Sequence, residues 1–537
     1  MVFLPQNVKS RLVSLILSTA AVLIPVTARS AERIVFELPP FGQFAIAVED
    51  LEAFVTTGEI SPELAFYLDR LSPQQVAKLP ELLSTPLELD PLTISKFSNS
   101  SIGEAVIKNF GKGIRADVDR NGFYALRGAI IAAAFDDRGL TVMNLLEHFP
   151  LETIYLDAKV LSKYIERGAN LANNREAIYR AFFDNSDSQV KALDESDRAD
   201  GQLSLASRGA YSWDKQVLAY NNPHRPQSGT FDLYLPEIKQ SVPLIVISHG
   251  LASNRQTFAY LGEHLASHGF AVAVIEHDEI SLAKFDKFLA GAERFPEPNN
   301  LINQPLDVKY VLDRLERESQ INTQQVAIIG QSFGGYTALA LAGGELTGDR
   351  TITECQSENH RDVILDLSSL AQCAFNQLNL SRLQLRDPRI KAAIAINPMG
   401  KIFGQTGMSS IEIPTMLVSG TNDLIMPPVA EQIRPFSWLE KSDKYLVLVK
   451  PATHFSFLQE GLGVLPVPNT AIGPNPSSAH PALKALSTAF FRVYLTQQPA
   501  YRTYLTDDRI NQLNNNTFEL SIIRELTGDR LQELIEQ

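Results

Sequence analysis

Between residues 206 and 500, short apolar runs alternate with segments whose apolar residues recur at helical spacing. Most of the later runs are continuously apolar, which is typical of strands covered on both faces of a sheet. Eight such runs, the later ones separated by helices, predict an α/β fold with a mostly parallel, doubly wound, eight-stranded sheet. Ligands of such sheets bind beyond the carboxyl ends of the strands. The predicted strands are 216–220, 230–235, 244–248, 271–276, 326–329, 392–396, 415–418 and 445–449, and the predicted helices are 257–268, 305–317, 336–342 and 429–438.

The pattern before this region is mostly helical. Ser61 and Ser72 each stand before a proline, and a capping hydroxyl followed by proline at the first helical position predicts the start of a helix. A polar, acidic stretch then predicts a linker between domains. We therefore expect a separate, mainly helical N-terminal domain over 32–184, a linker over 185–205, a catalytic domain over 206–500 and a helical tail over 501–537.

Residues 1–31 have the pattern of a signal peptide. Lys9 and Arg11 precede an uncharged apolar run over 12–26, and small residues follow it. The run is short for a membrane span, although an uncleaved N-terminal anchor is the alternative. No other stretch approaches membrane-spanning length, so we expect an exported protein, in a periplasm, a thylakoid lumen or outside the cell.

Charge and cysteine content narrow the classes of function. The 537 residues carry a formal net charge of −13, which argues against nucleic acid or an anionic membrane surface as the main partner. Cys355 and Cys373 are the two cysteines of the chain, and in an exported protein we expect them to form a disulfide, with two buried thiols as the alternative. Neither has a second cysteine at metal-ligand spacing, so we predict no metal site.

A candidate nucleophile lies in the segment Gly330-Gln331-Ser332-Phe333-Gly334, where a predicted strand runs into a predicted helix. A serine at the apex of such a turn is held in a strained conformation, and glycines two residues before and after it relieve the crowding. The pattern predicts that Ser332 projects as a nucleophile beside the start of a helix, where N–H groups favour negative charge.

The strand 244–248 ends in His249-Gly250-Leu251. Gly250 would let the backbone approach a substrate oxygen, and the N–H groups of Leu251 and Phe333 would form an oxyanion hole. His249 is a candidate base, but we favour a supporting role in which it orders the loop backbone.

An acid and a base follow at the ends of two later strands. Asp423 lies in the loop after 415–418, and His454 lies beyond 445–449. The chain order Ser332, Asp423, His454 is the order found in α/β-hydrolases, so we expect a catalytic triad of these residues. The alternative for Asp423 is an aspartate that only stabilises a turn before Pro427.

The segments 243–251, 265–277 and 330–336 resemble the platelet-activating factor acetylhydrolase and dienelactone-hydrolase-like branch of the α/β-hydrolase superfamily. The resemblance covers about residues 210–500. It implies a serine esterase or lipase without a cofactor, in which Leu251 and Phe333 donate to the oxyanion. The first half resembles a cyanobacterial helical domain of unknown function that precedes hydrolases.

Two features depart from this resemblance or add to it. In the acetylhydrolases the acid follows the strand after the nucleophile helix, where this chain has Asn397, so the substrate of those enzymes is in doubt. Glu276 and His277 suggest a second acid–base pair, although we expect that they shape the pocket. The excursions 280–296, 345–386 and 461–481 are candidate lids and acyl pockets, with ordinary packing as the alternative.

These residues predict an exported serine hydrolase that cleaves carboxylic esters of lipid or short-acyl character. A thioesterase or a peptidase would use the same triad, and a non-catalytic binding protein could keep the fold. The expected partner is a small ester or lipid molecule.

Overall fold

The computed structural model describes residues 30–38, 42–187, 205–225, 228–293, 297–346, 367–375, 378, 383–459 and 472–536. The chain divides into two compact units. The smaller unit contains residues up to Leu87 together with Gly111–Ala158, and the larger contains Glu88–Phe110 and Lys159–Gln537. Nearly all of the predicted signal segment and most of the predicted linker lie outside the described residues.

The smaller unit contains the two helices predicted from their caps, Pro62–Leu68 and Pro73–Ser84. Ser61 accepts a hydrogen bond from the N–H of Leu64, and Ser72 forms a capping box with Gln75. The unit also has a five-stranded sheet that the helical prediction missed, because its strands have two to six residues. These strands are β1 (Arg33–Leu38), β2 (Gly42–Ala47), β3 (Ile114–Asp117), β4 (Arg120–Asn121) and β5 (Thr153–Leu156), in the order β2-β1-β5-β3-β4.

The larger unit is built on a nine-stranded sheet. Its strands are β6 (Trp213–Tyr220), β7 (Gly229–Pro236), β8 (Val242–Ser248), β9 (Ala271–Ile275), β10 (Ile321–Gln331), β11 (Ile390–Ile396), β12 (Thr415–Gly420), β13 (Lys444–Lys450) and β14 (Glu519–Ile523), in the spatial order β14-β13-β12-β11-β10-β8-β9-β7-β6. The central strands, from β9 across to β13, pair in parallel, and antiparallel strands lie at both edges. The fold class predicted from the sequence, a mostly parallel α/β sheet, is therefore confirmed.

The central strands are apolar throughout because both faces of the sheet are covered. Along β10, Val326 and Ile328 pack into the core on one face, and Ala327 and Ile329 pack into the core on the other. Each fully buried aliphatic side chain of this kind contributes about 1.5–3 kcal/mol. The covering helices include Ala259–Ser267, Leu282–Leu289, Asn300–Leu315, Phe333–Ala342, Arg434–Trp438 and His480–Tyr494.

The ninth strand lies in the region that the sequence pattern predicts as a helical tail. β14 pairs antiparallel with β13, with Leu446 opposite Ile523. Leu520 and Ile522 are buried on one face of the sheet, so this short alternating segment completes its edge. The prediction of a purely helical tail was wrong at this point, and the short helix Gly528–Glu536 follows the strand.

The long helix Ala158–Asp187 shows where the units differ from the predicted domain boundaries. Its residues Ile178, Tyr179 and Phe183 are buried in the core of the nine-stranded sheet. The end of the predicted N-terminal domain is thus packed as part of the larger unit. In the described part of the chain no helix is both long and apolar enough to cross a membrane.

Candidate active site

Ser332 lies at the turn between β10 and the helix Phe333–Ala342, as predicted. Its φ of 57° and ψ of −118° form a strained conformation that is rare for a residue with a side chain. The turn is held by the N–H of Ser332, which donates to Ile396 O at 2.8 Å, and by its carbonyl, which accepts from Tyr336 N at 3.0 Å. Ser332 itself is 4% exposed.

Glycines surround this turn because no larger residue fits. A Cβ at Gly330 would lie 1.9 Å from the carbonyl oxygen of Gly334, and one at Gly334 would lie 2.1 Å from Ser248 O. A Cβ at Gly250 would lie 2.9 Å from Ser332 Cβ and 2.7 Å from Gln331 Oε1. The backbone of the loop after β8 therefore passes directly beside Ser332, which is the approach that the sequence predicts for an oxyanion loop.

Asp423 and His454 meet at the carboxyl ends of β12 and β13. His454 Nδ1 lies 2.7 Å from Asp423 Oδ2, and both residues are buried. The other oxygen of Asp423 accepts from the N–H groups of Ile425 and Met426, each at 2.8 Å. One oxygen of Asp423 thus makes the contact expected of a triad acid, and the other stabilises the turn before Pro427.

The second ring nitrogen of His454 faces Gln331. Gln331 Nε2 lies 3.3 Å from His454 Nε2 and donates to His454 O at 3.2 Å. Because an amide N–H can only donate, His454 Nε2 is the acceptor, and Nδ1 carries the proton toward Asp423. This is the tautomer that a general base requires. Among the described residues, Ser332 Oγ has no hydrogen-bond partner, a common state of catalytic serines without substrate.

The predicted oxyanion donors are available at this turn. Within the described part of the chain, the backbone N–H groups of Leu251 and Phe333 donate to no other residue. Phe333 is the first residue of its helix, so its N–H lacks an intrahelical acceptor and lies at the positive end of the helix dipole.

His249 is fully buried, and both of its ring nitrogens are engaged by backbone groups. Its Nε2 accepts from the backbone N–H of His277 at 3.0 Å, so Nδ1 carries the proton and donates to Gly250 O at 2.8 Å. Burial lowers the pKa of His249 to about 3, which keeps the ring neutral. These contacts agree with the supporting role that we favoured for it.

Asn397 occupies the position at which the acetylhydrolases carry their acid, and it joins the two site loops. Its Oδ1 accepts from the N–H of Gly420 at 2.8 Å, and its Nδ2 donates to Thr453 O at 3.2 Å. The residue is fully buried with a φ of 43°, a conformation that asparagine tolerates better than most residues. A carboxylate could not make the second of these bonds.

Glu276 and His277, the pair that we expected to shape the pocket, contact different partners. His277 is fully buried, with Nδ1 2.8 Å from Asp307 Oδ2, and Glu276 accepts from the N–H of Arg255 at 3.0 Å. Burial raises the pKa of Glu276. Asp307 was missed by the sequence reasoning because it lies inside a helix, where an isolated acidic residue has no distinguishing pattern.

Only part of the three excursions predicted to form lids or acyl pockets falls within the described residues. The segment 280–296 forms the helix Leu282–Leu289, in which Phe288 and Leu289 are buried. Most of 345–386 lies outside the described residues, and so do Cys355 and the part 461–471 of the excursion 461–481. The predicted disulfide between Cys355 and Cys373 stays a prediction.

Comparison with known proteins finds α/β-hydrolase families and ester hydrolases among the relatives of this chain. A family model described as an alpha/beta hydrolase of unknown function matches residues 30–157, and the model of platelet-activating factor acetylhydrolase, isoform II, matches residues 231–295. Cutinase 1 of Thermobifida cellulosilytica is 25% identical over 254 residues, which are 47% of this chain and 74% of that protein.

Platelet-activating factor acetylhydrolases align with a shorter part of the chain. The Bos taurus protein is 28% identical over 142 residues, and the Canis lupus familiaris protein is 31% identical over 140. Each match covers 19% of this chain and 32% of the relative. The chain therefore spans between about a third and three quarters of these relatives.

Proposed function

The chain is an α/β-hydrolase related to the platelet-activating factor acetylhydrolases, and from this premise we propose that it is an exported serine hydrolase that cleaves carboxylic esters. The observation that carries the proposal is the hydrogen bond of 2.7 Å between His454 Nδ1 and Asp423 Oδ2, in a histidine whose other ring nitrogen contacts Gln331, the residue before a serine with a φ of 57°. A strained backbone conformation of this kind costs about 1–3 kcal/mol and is found mostly at active sites and ligand clamps.

In the proposed reaction Ser332 Oγ attacks the acyl carbon, and its proton passes to His454 Nε2. The bond to the leaving alcohol breaks as His454 returns the proton to the alcohol oxygen, which leaves an acyl-serine. Water then attacks the acyl-serine with His454 again as the base, and the acyl–Oγ bond breaks as His454 returns the proton to Ser332 Oγ, which releases the carboxylic acid. Asp423 holds the imidazole and stabilises its cationic form. Its carboxylate is already oriented for this role, because one oxygen bonds His454 and the other accepts from the N–H of Ile425.

The oxyanion that forms in both steps would be stabilised by the N–H groups of Leu251 and Phe333. Each donor of this kind lowers the barrier by about 3 kcal/mol. The alternative of a binding protein without activity is weakened by the retention of these donors together with the tautomer of His454 described above.

The proposal is tested with the full-length protein and the variant Ser332→Ala. We expect hydrolysis of p-nitrophenyl acyl esters and covalent labelling by a fluorophosphonate, and we expect the variant to lose both while its thermal unfolding is unchanged. Undiminished turnover in Ser332→Ala would overturn the assignment.

The substrate class is proposed as lipid or short-acyl esters, because the relatives are cutinases and platelet-activating factor acetylhydrolases by name. A series of p-nitrophenyl esters from acetyl to palmitoyl measures the acyl preference. A thioester and a peptide of matched acyl group, run beside it, distinguish an esterase from the thioesterase and peptidase alternatives. Export is tested by the mass of the mature N-terminus, which should lack about the first 31 residues.

A further inference from the structure

A second serine, histidine and aspartate lie buried behind the proposed oxyanion loop. Ser248 Oγ is 3.0 Å from His277 Nε2, and His277 Nδ1 is 2.8 Å from Asp307 Oδ2. All three residues are fully buried. We call these three residues the buried chain. Because no substrate can reach Ser248, the buried chain is not a second active site, and its role must be exerted within the protein.

The direction of each hydrogen bond in the buried chain follows from its acidic end. Asp307 accepts from Arg225 on both oxygens and from Asn222 Nδ2 at 2.8 Å, so it is held as a carboxylate. Since a carboxylate can only accept, His277 Nδ1 donates to it. Burial lowers the pKa of His277, so the ring is neutral and Nε2 accepts from the hydroxyl of Ser248.

The buried chain connects to the loop 249–251 through four hydrogen bonds, two of them made by Gln304. The backbone N–H of His277 donates to His249 Nε2 at 3.0 Å, which fixes the tautomer of His249. His249 Nδ1 then donates to Gly250 O at 2.8 Å. Gln304 Nε2 donates both to Ser248 Oγ at 3.1 Å and to His249 O at 2.9 Å.

These bonds determine where the N–H of Leu251 points. In a trans peptide the carbonyl of one residue and the N–H of the next point in opposite directions. The bond from His249 draws the carbonyl of Gly250 inward, so the N–H of Leu251 is turned away from the imidazole. The backbone at Gly250 also lies directly beside Ser332, because a Cβ at Gly250 would lie 2.9 Å from Ser332 Cβ.

We propose that the buried chain positions the oxyanion hole, with His277 as the positioning residue that holds His249 and, through it, the N–H of Leu251. The inference rests on the proposed function, since an oxyanion hole has meaning only in an acyl-transfer enzyme. It predicts that removal of a bond in the buried chain weakens stabilisation of the transition state rather than binding of the ester.

The test uses the full-length variants Ser248→Ala and His277→Gln, with matched controls from a similar pair elsewhere in the larger unit. His264 is also a buried histidine, and its Nε2 lies 3.1 Å from Thr488 Oγ1. His264→Gln and Thr488→Val therefore remove comparable buried hydrogen bonds. Thermal unfolding of all four variants shows how much stability each substitution removes.

The decisive measurement compares a p-nitrophenyl ester with the thionoester of the same acyl group. Sulfur is larger and a weaker hydrogen-bond acceptor than oxygen, so an oxyanion hole shaped for oxygen discriminates against the thionoester. We expect Ser248→Ala and His277→Gln to lower kcat for the oxygen ester about 10- to 100-fold with little change in KM. The preference for the oxygen ester should fall with kcat, whereas both controls should keep the wild-type preference.

The different failures are distinguishable. If the wild-type protein hydrolyses the ester and Ser332→Ala does not, but Ser248→Ala keeps the preference and kcat of Thr488→Val, the inference is wrong and the proposed function stands. If His277→Gln does not fold, Ser248→Ala alone decides, because the loss of one hydroxyl leaves the packing intact. A wild-type protein without esterase activity would overturn the proposed function and this inference together.

Discussion

The hydroxyl of Tyr179 donates a hydrogen bond of 2.8 Å to the carbonyl oxygen of Thr421, two residues before Asp423. Tyr179 comes from the helix Ala158–Asp187, and its side chain is buried with Ile178 and Phe183 in the core of the large sheet. Burial raises the pKa of its hydroxyl well above the usual range, so the group remains a donor. A segment from the first half of the chain thus supports the loop that carries the proposed acid.

We predict that Tyr179→Phe lowers kcat several-fold and the free energy of unfolding by about 1 kcal/mol, because a buried carbonyl loses its donor. Steady-state kinetics and urea unfolding measure the two effects. Tyr494→Phe is the control, since its hydroxyl bonds Tyr445 and Asp443 at the other end of β13 and should affect stability alone. Equal kcat values in the two variants would contradict a link to the acid loop.

Asp423 allows its two hydrogen-bonding roles to be separated. In Asp423→Asn the new carbonyl oxygen could still accept from Ile425 and Met426, but the new amide would donate to His454 Nδ1 and impose the wrong tautomer. We therefore expect a fall in kcat of about 10⁴-fold with almost unchanged stability. Asp423→Ala should in addition lose about 1–3 kcal/mol of unfolding free energy, because two buried N–H groups lose their acceptor. Similar stability of the two variants would contradict this division.

The parts of the site that the sequence predicts are those with a local signature. Ser332, Gly250, Asp423 and His454 each follow an apolar strand, and the parallel topology alone brings strand ends to one edge. The supporting residues have no such signature. Tyr179 is 242 positions from its partner Thr421, and Asp307 lies on a helix where a lone carboxylate is ordinarily solvated.

Asn397 is a further residue whose supporting role the sequence does not reveal. Its sequence position showed that an acid was missing, but only the fold shows what the amide does instead, which is to join Gly420 to Thr453. The strand β14 was missed for a related reason, because its edge position depends on pairing with β13 and not on its own short pattern.

Gly250 is predicted to tolerate no side chain. In Gly250→Ala the new Cβ would meet Ser332 Cβ at 2.9 Å and Gln331 Oε1 at 2.7 Å, so the oxyanion loop and the nucleophile must move apart. A displacement of this kind should lower kcat about 100-fold. Gly128→Ala is the matched control, because a Cβ there meets nothing within 4 Å and alanine favours the helix Phe123–Ala134. A Gly250→Ala enzyme as active as this control would show that the loop does not approach the nucleophile.

Acid should destabilise the fold through its buried histidines. Burial lowers the pKa of His249 and of His264 to about 3, below the value of about 6.5 expected in the unfolded chain. Between these values the unfolded chain binds protons that the folded chain excludes, so the stability present above pH 6.5 is lost as the pH falls. The raised pKa values of Glu276 and Asp507 act in the opposite direction. Burial also lowers the pKa values of His268, His277 and His480, so the histidines that lose stability in acid are more numerous than these two carboxyl groups.

Each such histidine contributes up to about 1.4 kcal/mol per pH unit below pH 6.5. Urea unfolding at pH 8, 7, 6 and 5 should therefore give constant stability between pH 8 and 7 and a steep loss below pH 6.5. His264→Gln removes one of these groups, so its stability should fall less steeply over the acidic range even if it starts lower at pH 8. Parallel curves for the wild type and this variant would mean that His264 is protonated in the folded state.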